Sequence, residues 1–260
     1  MSDPENVYEQ PQILSDYLLF HYGSGAQILP GDFSAAMEGV KGALHFPLRC
    51  VAHLVDGDSL DPDTATAYDL GCAVGRSTFE LARHARKVTG YDLSEQFIDA
   101  AKQLLDGGEI ASDILIEGAI TEPAVFQAPA LPDGTDIAFE VGDAVELAET
   151  LPPADLVFAA NLLCRLPMPA RFLQALPRLV KPGGQLLLVT PFTWLSAFTP
   201  EDAWPIDAEA RPMAGRPWIA RLLGQAFTLE HSEDLPFLIR EHRRKYQFTI
   251  AHGMRWRRRN

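Results

Sequence analysis

Tyr68-Asp69-Leu70-Gly71-Cys72-Ala73-Val74-Gly75-Arg76-Ser77 is the stretch that decides the fold. It reads as a strand end, a glycine-bearing turn and a helix start. Glycine permits positive φ and close approach of a ligand to the backbone, and a helix start offers unpaired N–H groups. The spacing is Asp-x-Gly-x-x-x-Gly, so Gly71 and Gly75 do not supply the Gly-x-Gly-x-x-Gly of a dinucleotide site. That counts against a nicotinamide oxidoreductase. Asp69 stands just before the turn, where a carboxylate repels a pyrophosphate and suits a cationic ligand.

Outward from this turn, strands alternate with helices. Ala67–Leu70, Val88–Tyr91, Ile137–Val141, Asp155–Ala160 and Gln185–Thr190 read as strands. Thr78–His84, the stretch from Ser94 through Leu105, and Pro169–Val180 read as helices, with Ser94 a good N-cap. Ala226–His231 and Lys245–Ala251 read as an antiparallel pair at one edge. Residues 107–135, rich in Gly, Ala and Pro around Ile114–Ile116, read as an insertion or flap, and Lys181–Gly184 as a turn. The alternation predicts an α/β fold with a parallel, doubly wound sheet, whose ligand sits at the C-terminal strand ends.

Acids mark those ends. Asp92 closes the second strand, with Leu93 after it, and an acid there can hold two ribose hydroxyls. Gly142-Asp143-Ala144 follows the third strand, where an acid can accept from an adenine amino group. Asn161-Leu162-Leu163 follows the fourth, at the mouth of the same cleft. Three acids around one Gly turn describe a pocket for an adenosine bearing a positive charge and no phosphate. S-adenosylmethionine (SAM) fits.

Residues 65–195 resemble the class I SAM-dependent methyltransferases: Asp69–Gly75 their first motif, Asp92 the ribose acid, Gly142-Asp143-Ala144 the adenine side, and Leu179-Val180-Lys181-Pro182-Gly183-Gly184 the turn before strand five. The departure is Ala73 for the usual middle Gly, acceptable if φ is negative there. The resemblance implies a Rossmann-like, seven-stranded, mostly parallel sheet with an antiparallel edge strand and an N-terminal helical extension. It implies SAM as cofactor, S-adenosylhomocysteine (SAH) as product, and a cofactor site of Asp69, Gly71, Cys72, Ala73, Gly75, Asp92, Leu93, Gly142, Asp143, Ala144, Asn161 and Leu162. The expected division is a helical cap over 1–64, contributing to the active site, and a methyltransferase unit over 65–260.

A narrower resemblance covers nearly the whole chain. Asn6-Val7-Tyr8-Glu9, His21-Tyr22-Gly23, Phe46-Pro47, Gly71–Arg76, Asn161–Pro167, Pro191-Phe192-Thr193-Trp194 and Asp234–Tyr246 look like the mercaptohistidine N-methyltransferases of ovothiol biosynthesis. In many organisms that family is the C-terminal domain of a larger sulfoxide synthase, so the resemblance implies such a partner. The implied reaction is methylation of an imidazole nitrogen of 5-thiohistidine (4-mercaptohistidine). Methyl transfer is an in-line displacement that needs alignment more than a dedicated base. Tyr22, His45 and Arg165 are the catalytic candidates. Tyr8, Phe46, Arg49, Trp194, Phe237, Arg240, His242 and Lys245 are the substrate-binding candidates. A cation is needed for the carboxylate, and aromatics suit a sulfonium or a flat imidazole. Another small acceptor, or a non-catalytic SAM-binding subunit, remains an open alternative.

Composition sets bounds on these readings. At 260 residues, 47% hydrophobic and 22% charged, the chain has the ordinary globular balance. The net charge is −13, with +7 concentrated in residues 240–260 and −20 elsewhere. An acidic body argues against a polyanionic partner, so no nucleic acid is expected. The basic tail Arg255–Asn260 is expected to be solvated or paired with the acidic body. No apolar run approaches the ~20 residues of a membrane span, and Met1–Asn6 lacks a signal-peptide start, so a cytoplasmic protein without a membrane partner is expected. Cys50, Cys72 and Cys164 form no CxxC pair and read as buried hydrophobes; no metal site is expected.

Overall fold

A computed structural model describes residues 7–31 and 38–260. Residues 1–6, where the cap and the narrower resemblance begin, lie outside the described residues, as do 32–37. The helices are α1 (Pro11–Tyr22), α2 (Gly25–Ile28), α3 (Phe46–Leu54), α4 (Arg76–Leu81), α5 (Glu95–Leu105), α6 (Ala144–Thr150), α7 (Pro169–Leu179) and α8 (Gly215–Leu223). The strands are β1 (Thr66–Leu70), β2 (Lys87–Asp92), β3 (Ile110–Glu117), β4 (Ile120–Phe126), β5 (Asp136–Val141), β6 (Ala154–Ala160), β7 (Val180–Thr190), β8 (Phe227–His242) and β9 (Lys245–Arg258).

Seven strands form one sheet in the order β5-β2-β1-β6-β7-β9-β8. The first five are parallel, and β9 runs antiparallel to both of its neighbours. The sheet is covered on both faces, and strand periodicity sorts the side chains between them. Leu186 and Leu188 of β7 face a core built with α6, α7 and α8. Leu187 and Val189 face the opposite core, built with α3 and α4. A third cluster joins α1 and α5 to Cys72, Ala73 and Val74 of the Gly turn. Helix α5 shows the local rules at work: Phe97, Ile98, Ala101 and Leu104 recur at helical spacing and are buried, and the Ser94 hydroxyl accepts from the Phe97 N–H at 3.2 Å.

Three expectations change. The stretch over 107–135 contains a separate two-stranded antiparallel sheet, β3–β4. It docks on α1, where the Ser15 hydroxyl donates to the Asp113 carbonyl at 2.7 Å. The turn Lys181–Gly184 is absorbed into β7 beside an irregularity in the β6 register. The basic tail is mostly strand: β9 extends to Arg258 between β7 and β8. Its arginines pair with the acidic body, Arg257 with Asp56 at 2.6 Å and with Glu230 at 3.0 Å.

Strands β8 and β9 are far longer than expected, because their pairing continues past the end of β7. Thr190 of β7 sits opposite His252, and residues 245–251 continue the β8–β9 ladder beyond it. The resulting arm overhangs the C-terminal strand ends. All three cysteines are free and buried. No described helix is long and apolar enough to cross a membrane.

Candidate functional site

The Gly turn after β1 is held by its neighbour strand. The N–H groups of Gly71 and Cys72 donate to the Tyr91 carbonyl at 2.8 and 2.9 Å. Gly71 has φ +75 and Gly75 φ +86, a region costly for side-chain-bearing residues. A Cβ on Gly71 would lie 3.0 Å from Leu162, so the turn and the β6 loop pack directly together. A Cβ on Gly75 would lie 2.6 Å from the Phe139 ring. Ala73 adopts φ +47, which overturns the expectation of a negative φ there. Its N–H points at Asp92, and this hydrogen bond helps hold the residue in the left-handed region.

Asp92 organises the next strand end. Its two carboxylate oxygens accept from Ala73 N–H at 2.9 Å and Ser94 N–H at 3.0 Å. Each oxygen retains a lone pair for a hydroxyl. Burial raises the Asp92 pKa, opposed by those backbone donors. Gly142 N–H donates to the Asp92 carbonyl at 2.9 Å, which brings the β5 end alongside. Asp143 caps α6 through Oδ1, 2.7 Å from Val145 N–H, while Ala144 is buried at the helix start. Leu93 and Val141 are 62% and 49% exposed beside these polar groups, an unusual outlay of apolar surface that suits the faces of a flat ring.

Two further atoms fit the expected cofactor. Asp69 is buried, with Oδ2 receiving Ser77 and Thr78 hydroxyls at 2.6 and 2.7 Å, while Oδ1 has no partner. Burial raises its pKa to about 6. Asn161 adopts φ +54 at the β6 end, and its Oδ1 is likewise buried without a partner. Polar atoms are rarely left so. The chemistry fits SAM: its ammonium and ribose hydroxyls would supply donors to Asp69, Asn161 and Asp92. Cys72 is fully buried, and burial raises its thiol pKa, with Asp69 adding to it.

Above this floor lie aromatics from distant segments. Tyr8 packs on Tyr17, Phe97 and Phe198 with ring centroids 6.0–6.2 Å apart. Its hydroxyl is hydrogen-bonded by Arg165; burial raises the Tyr8 pKa and Arg165 opposes the rise. Arg165 also donates to the Thr193 carbonyl at 2.9 Å and lies 4.8 Å over the Phe198 ring. Tyr8 and Arg165 are therefore brought together near Asp92. Tyr17 and Phe198 were not anticipated; only the helical spacing of Tyr17 with Leu14 and Leu18 hinted at the first.

The other candidates are placed differently. The Tyr22 hydroxyl donates to the Val74 carbonyl at 2.6 Å and so braces the Gly turn. His45 precedes α3 at φ +53; burial and the nearby Arg76 and Arg49 lower its pKa. Phe46 and Phe237 pack tilted within the core, centroids 4.6 Å apart. Arg49 bonds the Leu44 carbonyl at 2.9 Å and the Pro236 carbonyl, tying α3 to β8. Trp194 packs edge-on against Trp218 at 6.0 Å.

Arg240, His242 and Lys245 lie apart from the strand-end acids. The long β8–β9 pairing carries them to the arm's tip, against β3. Arg240 is only 3% exposed and donates to the carbonyls of Gln27 at 2.5 Å and Leu115 at 3.3 Å, with Glu122 at 3.4 Å. His242 accepts from the Arg244 N–H, and exposed Lys245 pairs with Glu241 at 2.5 Å. Among the described residues no cluster could hold a metal ion.

Residues 68–188 match the family described as "Methyltransferase domain". Ubiquinone biosynthesis O-methyltransferase of Sodalis glossinidius is 31% identical over 134 residues, 50% of this chain and 44% of the relative. That of Dechloromonas aromatica is 33% identical over 124 residues, 47% and 42%. The chain therefore matches less than half the length of these relatives. A SAM-dependent methyltransferase from Methanosarcina mazei superposes with a TM-score of 0.52 at 18% identity, covering 78% of this chain and 95% of that one.

Proposed function

We propose that this chain is a class I SAM-dependent methyltransferase, a reading its domain match and fold support, and that it transfers a methyl group to an imidazole nitrogen of a small amino-acid acceptor, 5-thiohistidine. The cofactor SAM supplies a methyl group on a sulfonium, already a good leaving group. In this reading Asp92 holds the ribose, Leu93, Val141 and Asp143 the adenine, and Asp69 the ammonium. The described part of the cap, residues 7–31 and 38–64, and the β8–β9 arm close the acceptor side. Tyr8 and Arg165 face the acceptor, with Arg165 available to its carboxylate.

One observation carries the choice of acceptor class. The segments that resemble the mercaptohistidine enzymes are scattered along the chain, yet they converge on one end of the sheet. Phe46 meets Phe237 and Tyr8 meets Arg165, each pair joining two of these segments, while Arg49 and Gln27, outside them, hold Pro236 and Arg240 of a third. Most of these segments lie outside residues 68–188, where the family match falls. The narrower resemblance therefore addresses the acceptor side, and the family match addresses the cofactor side.

The names of the curated relatives support a second reading, O-methylation of a ubiquinone precursor. Mass spectrometry separates the two. The chain is mixed with SAM and, in parallel, 5-thiohistidine, histidine and a catechol. A single added methyl on 5-thiohistidine alone is the expected result. Methylation of the catechol alone replaces this reading with the second. SAM binding without product on any acceptor favours a non-catalytic subunit that docks on a sulfoxide synthase.

A further inference from the structure

Most buried polar atoms in folded proteins have a partner, and each that lacks one calls for a reason. His21 Nδ1 is buried with no hydrogen-bond partner. The residue is 8% exposed, and no element of the Gly turn or the strand ends explains its choice over an apolar residue.

Its position does. On α1 the residues Leu14, Tyr17, Leu18 and His21 share one face by helical spacing. Leu14, Tyr17 and Leu18 pack in the same cluster as Cys72, Ala73 and Val74 of the Gly turn. One turn before His21, the Tyr17 ring lies 5.8 Å away and reaches the electrostatic neighbourhood of Asp92 and Arg165. One residue after it, Tyr22 bonds Val74 at the other end of the Gly turn. His21 therefore sits on α1 between a ring near Asp92 and Arg165 and a hydroxyl bonded to the Gly turn. Burial, with Arg76 nearby, lowers its pKa to about 3, so the ring stays neutral throughout the physiological range.

We infer that His21 is a specificity-determining residue that accepts a hydrogen bond at Nδ1 from a ring N–H of the methyl acceptor. The inference rests on the methyltransferase reading above and names the contact that selects the acceptor. Donation of one ring N–H to His21 fixes the acceptor's tautomer. The lone pair of the other ring nitrogen is then free to attack. The new N–CH3 bond forms as the S–CH3 bond breaks, with that electron pair going to sulfur. The product imidazolium loses its N–H proton to water, since His21 is too weak a base to keep it. An acceptor with no donor opposite His21 leaves Nδ1 unpaired and is disfavoured.

The test uses the full chain, SAM and 5-thiohistidine, with SAM affinity read by calorimetry and methylated product by mass spectrometry. His21→Leu removes the acceptor atom, and His21→Asn returns an amide near the Nδ1 position. Loss of one such bond is expected to raise the acceptor KM about tenfold in the Leu variant. SAM Kd should move less than about twofold, and His21→Asn should recover most of the lost KM. The Leu variant should also melt higher, because it buries no unpaired nitrogen. Unchanged KM and kcat in His21→Leu, with an active wild-type chain, overturns the inference alone. Parallel loss of SAM affinity in both variants assigns His21 to the fold instead and also overturns it. An inactive wild-type chain overturns the function reading on which the inference stands.

Discussion

The proposed cofactor side and the proposed acceptor side of the cleft are built in opposite ways. The cofactor side is made of strand ends stitched by backbone bonds between neighbours: Gly71 to Tyr91, Gly142 to Asp92, Asn161 to Val189. The acceptor side is held by side chains bridging remote segments, Arg240 to Gln27 and Arg49 to Pro236. A backbone-stitched site is a property of a strand–turn–helix unit and travels with it. A side-chain-bridged site is a property of this whole chain.

The largest expected effect tests whether the arm is structural. Arg240→Ala strands two part-buried carbonyls and removes the tie between α2, β3 and β8. A loss on the order of 3 kcal/mol is expected, read as a fall in Tm of several degrees. SAM affinity should move little. Lys245→Ala, on the exposed tip, should leave Tm within error. Equal effects from the two would return Arg240 to the surface and erase the contrast. Asp92→Ala is the mirror experiment. It removes a carboxylate expected to take two hydroxyls, so SAM Kd should rise roughly 100-fold by calorimetry.

Sequence patterns reached these two sides unequally, for a physical reason. The Gly turn, the Ser94 cap and the acids at Asp92 and Asp143 are local: spacing along the chain sets their geometry. The sheet and the strand ends were legible for the same reason. The arm was not. The pairing of Leu238 with Phe248 and of Arg240 with Tyr246 depends on two strands running past the end of a third. No local period signals that, so Arg240 reads as cleft-facing when it ties the arm to α2 and β3. His21 was hidden differently. Its spacing reads as one more inward helix position, and only the missing partner marks it.

Protonation gives a graded test of the cofactor side. Asp69 has its folded pKa raised from 3.8 to about 6, so near pH 5 the folded chain keeps a proton that the unfolded chain has lost. Its contribution to the stability of the free protein is therefore present below pH 4 and is lost as pH rises through 6. A cationic ligand beside Oδ1 favours the ionised form and reverses this dependence. SAM affinity should hold above pH 7 and fall by up to tenfold per unit below pH 6. Asp69→Asn should bind SAM weakly with a flattened profile. A wild-type affinity constant from pH 5 to pH 8 would remove Asp69 from the ammonium's neighbourhood.

The smallest effect is expected at Ala73, and its smallness is informative. Three terms oppose one another in Ala73→Gly. Releasing an L-residue from the left-handed region gains roughly 1–2 kcal/mol. The freer unfolded glycine costs roughly 0.5–1, and loss of a buried methyl costs about 0.8. The sum lies close to zero, so Tm should shift by no more than about 2 °C. Gly75→Ala at φ +86 has no such balance, because its Cβ also meets the Phe139 ring at 2.6 Å. It should melt several degrees lower. A Gly turn that accepts alanine at one left-handed position and rejects it at another is limited by packing, with φ a secondary cost. If Ala73→Gly instead stabilised the chain by as much as Gly75→Ala destabilised it, φ alone would govern the turn.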